Sequence, residues 1–347
     1  MGSFNGANTE IKSIKKEGRW RAVLITILGC GLLFFLMSFS ITQGAIEIPL
    51  SSVWDALFRF DENNTHHLII LDIRMPRVIA SALIGSAFAV SGAIMQGVTR
   101  NPMADSGLLG LNAGAGFALS ICFAFFPGMK YIQIILFSFL GAAIGAALVN
   151  GIASLRRGRA TPMRLVLAGA AVTALLSSLS QGIALYFDVA QDIMFWTVGG
   201  VGGSNWQQIK IIFPWIIGAL IGAIILSPSI SISSLGEDVA KGLGLNTTMI
   251  NIFSSIIVLI LAGASVSVVG AVGFVGLMIP HLSRHLVGVD YRCIIPVSAV
   301  LGGILVVVAD LGARTLRPPT EIPIGALIAL VGVPFFLYLA RKERRAS

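Results

Sequence analysis

An all-α, polytopic integral membrane bundle is the fold class this chain predicts, and three observations carry that reading. Apolar blocks of about 20 residues recur along its 347 residues. Only 12% of residues are charged against 56% hydrophobic, with a mean hydropathy of +0.89. The cations gather between the blocks instead of within them. A lipid-facing helix needs about 20 apolar residues to cover a hydrocarbon core of roughly 30 Å, with every backbone group satisfied inside the segment. Two soluble domains, which length alone permits, would not leave such windows repeatedly free of charge.

The blocks fall at 22–41, 78–97, 107–126, 132–153, 165–187, 209–227, 249–269, 270–280, 294–313 and 322–340, about ten transmembrane helices. Residues 1–20 form a basic N-terminal tail, 21–340 a single transmembrane domain with a loop at 228–248, and 341–347 a basic C-terminal tail. The apolar run at Arg21–Ile41 lacks a small-residue cleavage site after it and is expected to be retained as the first span. Block 270–280 is too short to face lipid and ends at Pro280-His281, so it is expected to cross inside the bundle and turn there into a loop. Counting it gives ten spans and both termini cytoplasmic, with seventeen Lys and Arg inside against seven outside. The net charge of +8 then follows from topology and anionic lipid, with no nucleic acid implied.

Cys30, Cys122 and Cys293 are too scattered for a disulfide framework or a metal motif. Residues 85–110 align with 263–288 at a fixed offset, through Gly85/Gly263, Gly92/Gly270 and Pro102/Pro280. That echo reads either as a duplicated bundle half or as the small-residue pattern that close helix packing favours. Asp310 is the ionisable group set into a block; Arg314, one turn on, is its expected partner. His281 and His285 share a helix face, but the glutamate of H-E-x-x-H is absent and no metal site is expected. His66-His67 reads as a solvated pair in an outer loop. No G-x-x-x-x-G-K-[ST] occurs, so an ATP-driven process needs another polypeptide for hydrolysis.

The loop before residue 249 carries a partner signal. Ser234-Leu235-Gly236-Glu237 reads as a capping box that starts a short helix. Glu237 and Asp238 suit its first turn, Lys241 its last, and Gly242 and Gly244 its stop. Leu235, Val239 and Leu243 fall on one stripe, either folded onto the bundle or offered to a soluble partner. At the outer end Arg74, Arg77 and Arg314 oppose the charge bias; they snorkel to headgroups or take carboxylates of an external protein.

Several long stretches together resemble the permease subunits of ATP-binding-cassette importers for iron-siderophore complexes and cobalamin. They are IRMPRVIASALIGSAFAVSGAIMQGVTRNPMADSGLLGLNAGAG (73–116), FWTVGG (195–200), LGEDVAKGLGL (235–245), GAVGFVGLMIPHLSRHLVGVDYR (270–292), ADLGAR (309–314) and EIPIGALIALVGVPFFLYL (321–339), in one order over roughly residues 20–342. The resemblance implies a multi-pass protein of the bacterial cell membrane that imports ferric siderophores and has no enzymatic activity or cofactor of its own. It implies two ATPase subunits, an extracytoplasmic substrate-binding protein and a second permease, identical or paralogous. By the same resemblance Arg74, Arg77 and Arg314 dock the binding protein, and Leu235, Gly236, Glu237, Val239, Ala240, Leu243 and Gly244 couple to the ATPase. Thr161, Pro162 and Met163 occupy the place of a cytoplasmic gate. Pro162 and Met163 depart from the small hydroxylated residues of cobalamin permeases, which disfavours that substrate. A cobalamin or haem permease, and an ion-coupled secondary transporter, are the alternative functions.

Overall fold

The computed structural model describes residues 2–44, 46, 48–154, 162–198, 200–318 and 320–344. Among them there is no strand; helices follow one another from α1 (Gly2–Thr42) to α14 (Ile324–Arg344). Helix α1 extends back through the stretch read as a tail, and its apolar part is Gly18–Thr42. Next come α2 (Leu50–Phe58) and α3 (Thr65–Leu68); a π-helical turn, Ile69–Arg74, then leads without a break into α4 (Met75–Thr99). Next are α5 (Leu111–Phe125), α6 (Tyr131–Ser154), α7 (Pro162–Tyr186), α8 (Ala190–Val198) and α9 (Trp206–Ser233). The short α10 (Glu237–Gly242) precedes α11 (Thr247–Val269), α12 (Val275–Val287) and α13 (Tyr291–Thr315).

Seven of these helices are long and apolar enough to cross a membrane, and Leu111–Phe125 and Ile324–Leu337 are shorter apolar helices. Their burial sorts them into layers. The most apolar part of the Thr65–Thr99 segment is 83% buried, whereas the corresponding parts of α1 and α7 are only 11% and 22% buried. So α4 is the axis of the bundle, and α1 and α7 turn most of their apolar surface outward.

Glycine makes that axis. At Gly85 and Gly302 the backbones of α4 and α13 approach so closely that a methyl on either would strike the other's carbonyl; a methyl on Gly92 of α4 would likewise strike the Gly276 carbonyl of α12, and one on Gly276 would meet Asp105 and the Phe88 carbonyl. Small residues give helices in an apolar medium the packing contact that hydrophobicity cannot supply there. Replacing Gly92 with alanine is expected to cost about 1–3 kcal/mol through overpacking. Gly116, on α5, has open space where a methyl would go, and Gly116→Ala is expected to be neutral or to stabilise by up to about 1 kcal/mol. Thermal unfolding of the two variants in detergent checks the contrast.

The Gly270–Pro280 segment differs from its expected form. Helix α11 ends at Val269, Gly270 takes φ 73°, and the helix resumes only at Val275, running through Pro280 to Val287. Pro280-His281 is therefore no turn into a loop. Proline has no amide to donate to the carbonyl four residues earlier, that of Gly276. In this chain the Gln96 side chain on α4 donates to that carbonyl at 3.1 Å and to the Leu277 carbonyl at 3.3 Å. The orphaned acceptor is satisfied from a neighbouring helix, and the helix continues.

The offset echo is also revised. It lays the middle of α4 over the break after α11, so Gly92, inside a helix, would match Gly270, which ends one. Helix lengths do recur: α4 to α7 have 25, 15, 24 and 25 residues, α11 to α14 have 23, 13, 25 and 21. Any duplication is thus carried by element order and not by that residue register.

Candidate functional site

At one end of the bundle, the π-turn feeds Arg74 and Arg77 into the start of α4, while Asp310 and Arg314 lie one turn apart on α13. The backbone bond from the Ile322 amide to the Ala313 carbonyl (3.0 Å) pins the following loop to α13 and brings in Glu321. Arg77 then forms a fork: Nε donates to Asp310 Oδ1 at 2.8 Å, and the two terminal nitrogens donate to Glu321 at 2.7 and 3.0 Å. Arg314 Nε lies 3.6 Å from Asp310 Oδ2, the pairing expected from the spacing, and its terminal nitrogens donate to the carbonyls of Gln43 and Ser40 and to the Ser40 hydroxyl. Arg74 donates to the carbonyls of Ile41 and Ile46, closing the end of α1 onto the cluster.

All three arginines are buried, at 6%, 6% and 7% exposure. They do not snorkel outward, and in this conformation their donors are turned onto the protein itself. The cluster holds three guanidiniums and two carboxylates, one net positive charge. Glu321 is its exposed member, with a side chain 48% open to solvent. The hydrogen bonds from Arg77 hold its carboxyl below the usual range, partly offset by burial. The stabilisation from that pair is therefore present above the ordinary carboxylate range and is lost as pH falls through the lowered value. Sequence reading missed Glu321 because it precedes its apolar block, where a charge excites no suspicion. Nearby, His67 is buried and not solvated: its Nδ1 accepts from the Asp61 amide at 3.1 Å and its ring tilts on Phe60.

At the opposite end lies α10, packed on α9 and α11. Its predicted capping box does not form, because α10 starts two residues later, from Gly236, and Ser234 sits at the end of α9, its hydroxyl donating to the Ser231 carbonyl at 2.8 Å. Gly236, at φ 134°, starts α10 without a side-chain cap. The acidic first turn and the final Lys241 are as expected, and Glu237 and Lys241 pair at 3.0 Å. Thr247 also donates to Glu237 at 3.3 Å, tying α10 to α11, and Gly244 at φ 80° ends the turn. Ala240 is fully buried against the bundle, while Leu235, Val239 and Leu243 are 68%, 48% and 64% exposed. The apolar stripe faces outward, not onto the protein's own helices.

Beside α10 opens a cleft of about 960 Å³ whose lining includes Arg19, Arg21, Arg100, Arg284 and Arg292 with Asp290. Arg284 donates to Gln96 at 3.2 Å and to the Tyr291 hydroxyl at 3.3 Å, while Asp290 accepts from Ser231 at 2.8 Å. His281 and His285 meet Nε2 to Nε2 at 3.0 Å, a histidine hydrogen bond; among the described residues no group of three or more metal-ligating side chains occurs. Of the gate residues, Thr161 lies outside the described residues, and Pro162 and Met163 open α7. One face of α7 turns Ala170, Ala174, Ser178, Gln181 and Gly182 outward together with the larger Leu167 and Leu185, a mixed face without charge.

The model of the FecCD transport family matches residues 32–342. The chain is 48% identical to the iron(3+)-hydroxamate import system permease protein FhuB of Bacillus subtilis, over 96% of this chain and 88% of that one. It is 42% identical to the Fe(3+)-citrate import system permease protein YfmD of the same organism, over 93% and 94%. Among solved structures, an inward-facing metal-chelate type ABC transporter superposes with a TM-score of 0.79 at 27% identity, covering 92% of this chain and 99% of that one.

Proposed function

Because the chain belongs to the FecCD transport family, we propose that it is the membrane-spanning permease subunit of an ABC importer for ferric siderophores, with hydroxamate chelates the first substrates to test. Seven spans with α5, α12 and α14 make ten crossings, and both termini are cytoplasmic. The observation that carries the reading is α10, a short helix held on the bundle by Ala240 with its Leu235, Val239 and Leu243 face turned into water. Three large apolar side chains on one face suit the groove of a soluble partner, which here is an ATPase subunit.

In this proposal two copies, or this chain and a paralogue, face each other across the uncharged outward face of α7 and form the path between them. A wall without charge lets a bulky chelate pass without being held. The binding protein docks at the outer arginine cluster, where its carboxylates exchange with Glu321 for Arg77 while Arg74 and Arg314 brace the helix ends. ATP-driven closure of the ATPases displaces α10 and the bundle alternates its opening. The gate comprises Thr161, Pro162 and Met163, of which Pro162 and Met163 open α7 at its cytoplasmic end.

Reconstitution of the chain with candidate ATPase and binding protein in vesicles is expected to give uptake of radiolabelled ferric hydroxamate that requires ATP and survives a protonophore. Uptake that persists without ATP and stops with the protonophore would instead identify a secondary transporter.

A further inference from the structure

The basic cleft beside α10 does not end at the bundle's surface. Arg19, Arg292 and Cys293 line both that cleft and a second cavity of about 350 Å³, a groove between α1 and α13. The two guanidiniums therefore stand at the junction. Beyond them the groove is walled by Ala22, Val23, Ile27 and Pro296. Thr26 also lines it, but its hydroxyl is spent on the Ala22 carbonyl at 2.8 Å. Ala22 and Cys293 are buried at 4% and 5%, forming the floor, while Val23 and Ile27 are 51% and 63% exposed, forming the rim.

This groove lies along Gly18–Thr42, the apolar part of α1, so its surroundings below the arginines are hydrocarbon. Trp20, 68% exposed, sits where an interfacial aromatic belongs. Among the described side chains no carboxylate lines the groove, and the one in the adjoining cleft, Asp290, already accepts from Ser231 and from the Arg292 amide. A pair of exposed cations above an apolar slot matches one class of molecule at a membrane surface: a lipid with an anionic head.

We infer that the α1–α13 groove binds one anionic phospholipid, with its phosphate between Arg19 and Arg292 and an acyl chain against Ala22, Val23, Ile27 and Pro296. The lipid fills the crevice where the peripheral first helix, mostly exposed along its apolar part, meets α13. This inference needs only that the chain resides in a membrane and is independent of what it transports.

Native mass spectrometry of the delipidated permease, titrated with phosphatidylglycerol or phosphatidylcholine, tests it. Phosphatidylglycerol is expected to bind more tightly, and R19Q/R292Q to weaken that binding about 25-fold, from roughly fivefold per arginine near an anionic lipid surface. Because both arginines are exposed, the variant should melt at the wild-type temperature. Ile27→Trp, which keeps both cations and obstructs the groove, is expected to lower affinity as well. Equal binding of the two lipids by the wild type, or undiminished phosphatidylglycerol binding in R19Q/R292Q, overturns the site. Full competition by glycerol phosphate, in the wild type alone, would show a phosphate site without a place for the chain and would also overturn it.

Discussion

Vesicles carrying the Leu235→Asp, Val239→Asp, Leu243→Asp variant are expected to lose at least nine-tenths of ATP-driven uptake while the permease itself folds and inserts normally. Each of these side chains is about half or more exposed, so a charge there meets water and leaves the bundle undisturbed. In an ATPase groove the same charge has to be desolvated. Where one of these side chains is a hot spot of the interface, truncating it costs at least about 2 kcal/mol, roughly thirtyfold in affinity. Co-purification of the ATPase should fall with uptake, and melting of the isolated permease should stay constant. A variant that still retains the ATPase and transports at the wild-type rate would remove α10 from the coupling route. Ala240→Asp gives the opposite signature, because Ala240 is fully buried: it should damage the fold before it damages coupling.

Arg77→Ala is expected to be the most destabilising exchange in the arginine cluster, by about 3–5 kcal/mol, since it leaves the buried Asp310 without its closest partner. The quantity to measure is thermal stability in detergent, alongside yield of folded protein. Arg77→Lys should recover little, because a lysine ammonium cannot serve Asp310 and both oxygens of Glu321 from one rigid fork. Glu321→Gln should cost far less, its side chain being half in water. A role confined to docking predicts otherwise: Arg77→Ala would then fold at full stability and lose only affinity for the binding protein. The burial and hydrogen bonding of this guanidinium favour the first outcome, and they mean that charge reversal at Arg74, Arg77 and Arg314 together should cost the fold as well as docking.

Much of the architecture was legible because membrane helices announce themselves: nothing else accounts for twenty apolar residues between cationic loops. The Asp310–Arg314 pair was legible too, since helical spacing alone brings the two together. Arg77 as the closer partner of Asp310 was not. It lies 233 residues away, and only the glycine contacts that draw α4 against α13 make the two neighbours. The Ser234 capping box failed for a similar reason. Its motif is local, but the preceding helix runs on to Ser233 and α10 starts only from Gly236; the box that does form is Asn205 with Gln208, at the start of α9. The exposed stripe of α10 could be read as a stripe from sequence, whereas the direction it faces depends on where Ala240 packs.

The bond from Gln96 to the Gly276 carbonyl ties positions 96 and 280 into one unit of inheritance. With alanine at 280, the helix would supply its own amide and the glutamine's donor would lose its task; with leucine at 96, the proline would leave a carbonyl stranded in a dry interior. Neither exchange is neutral alone, and the pair of exchanges together should be milder than their sum. A chimaera that borrows α12 from a relative therefore has to borrow the matching residue of α4 with it, although 184 positions separate the two in the chain.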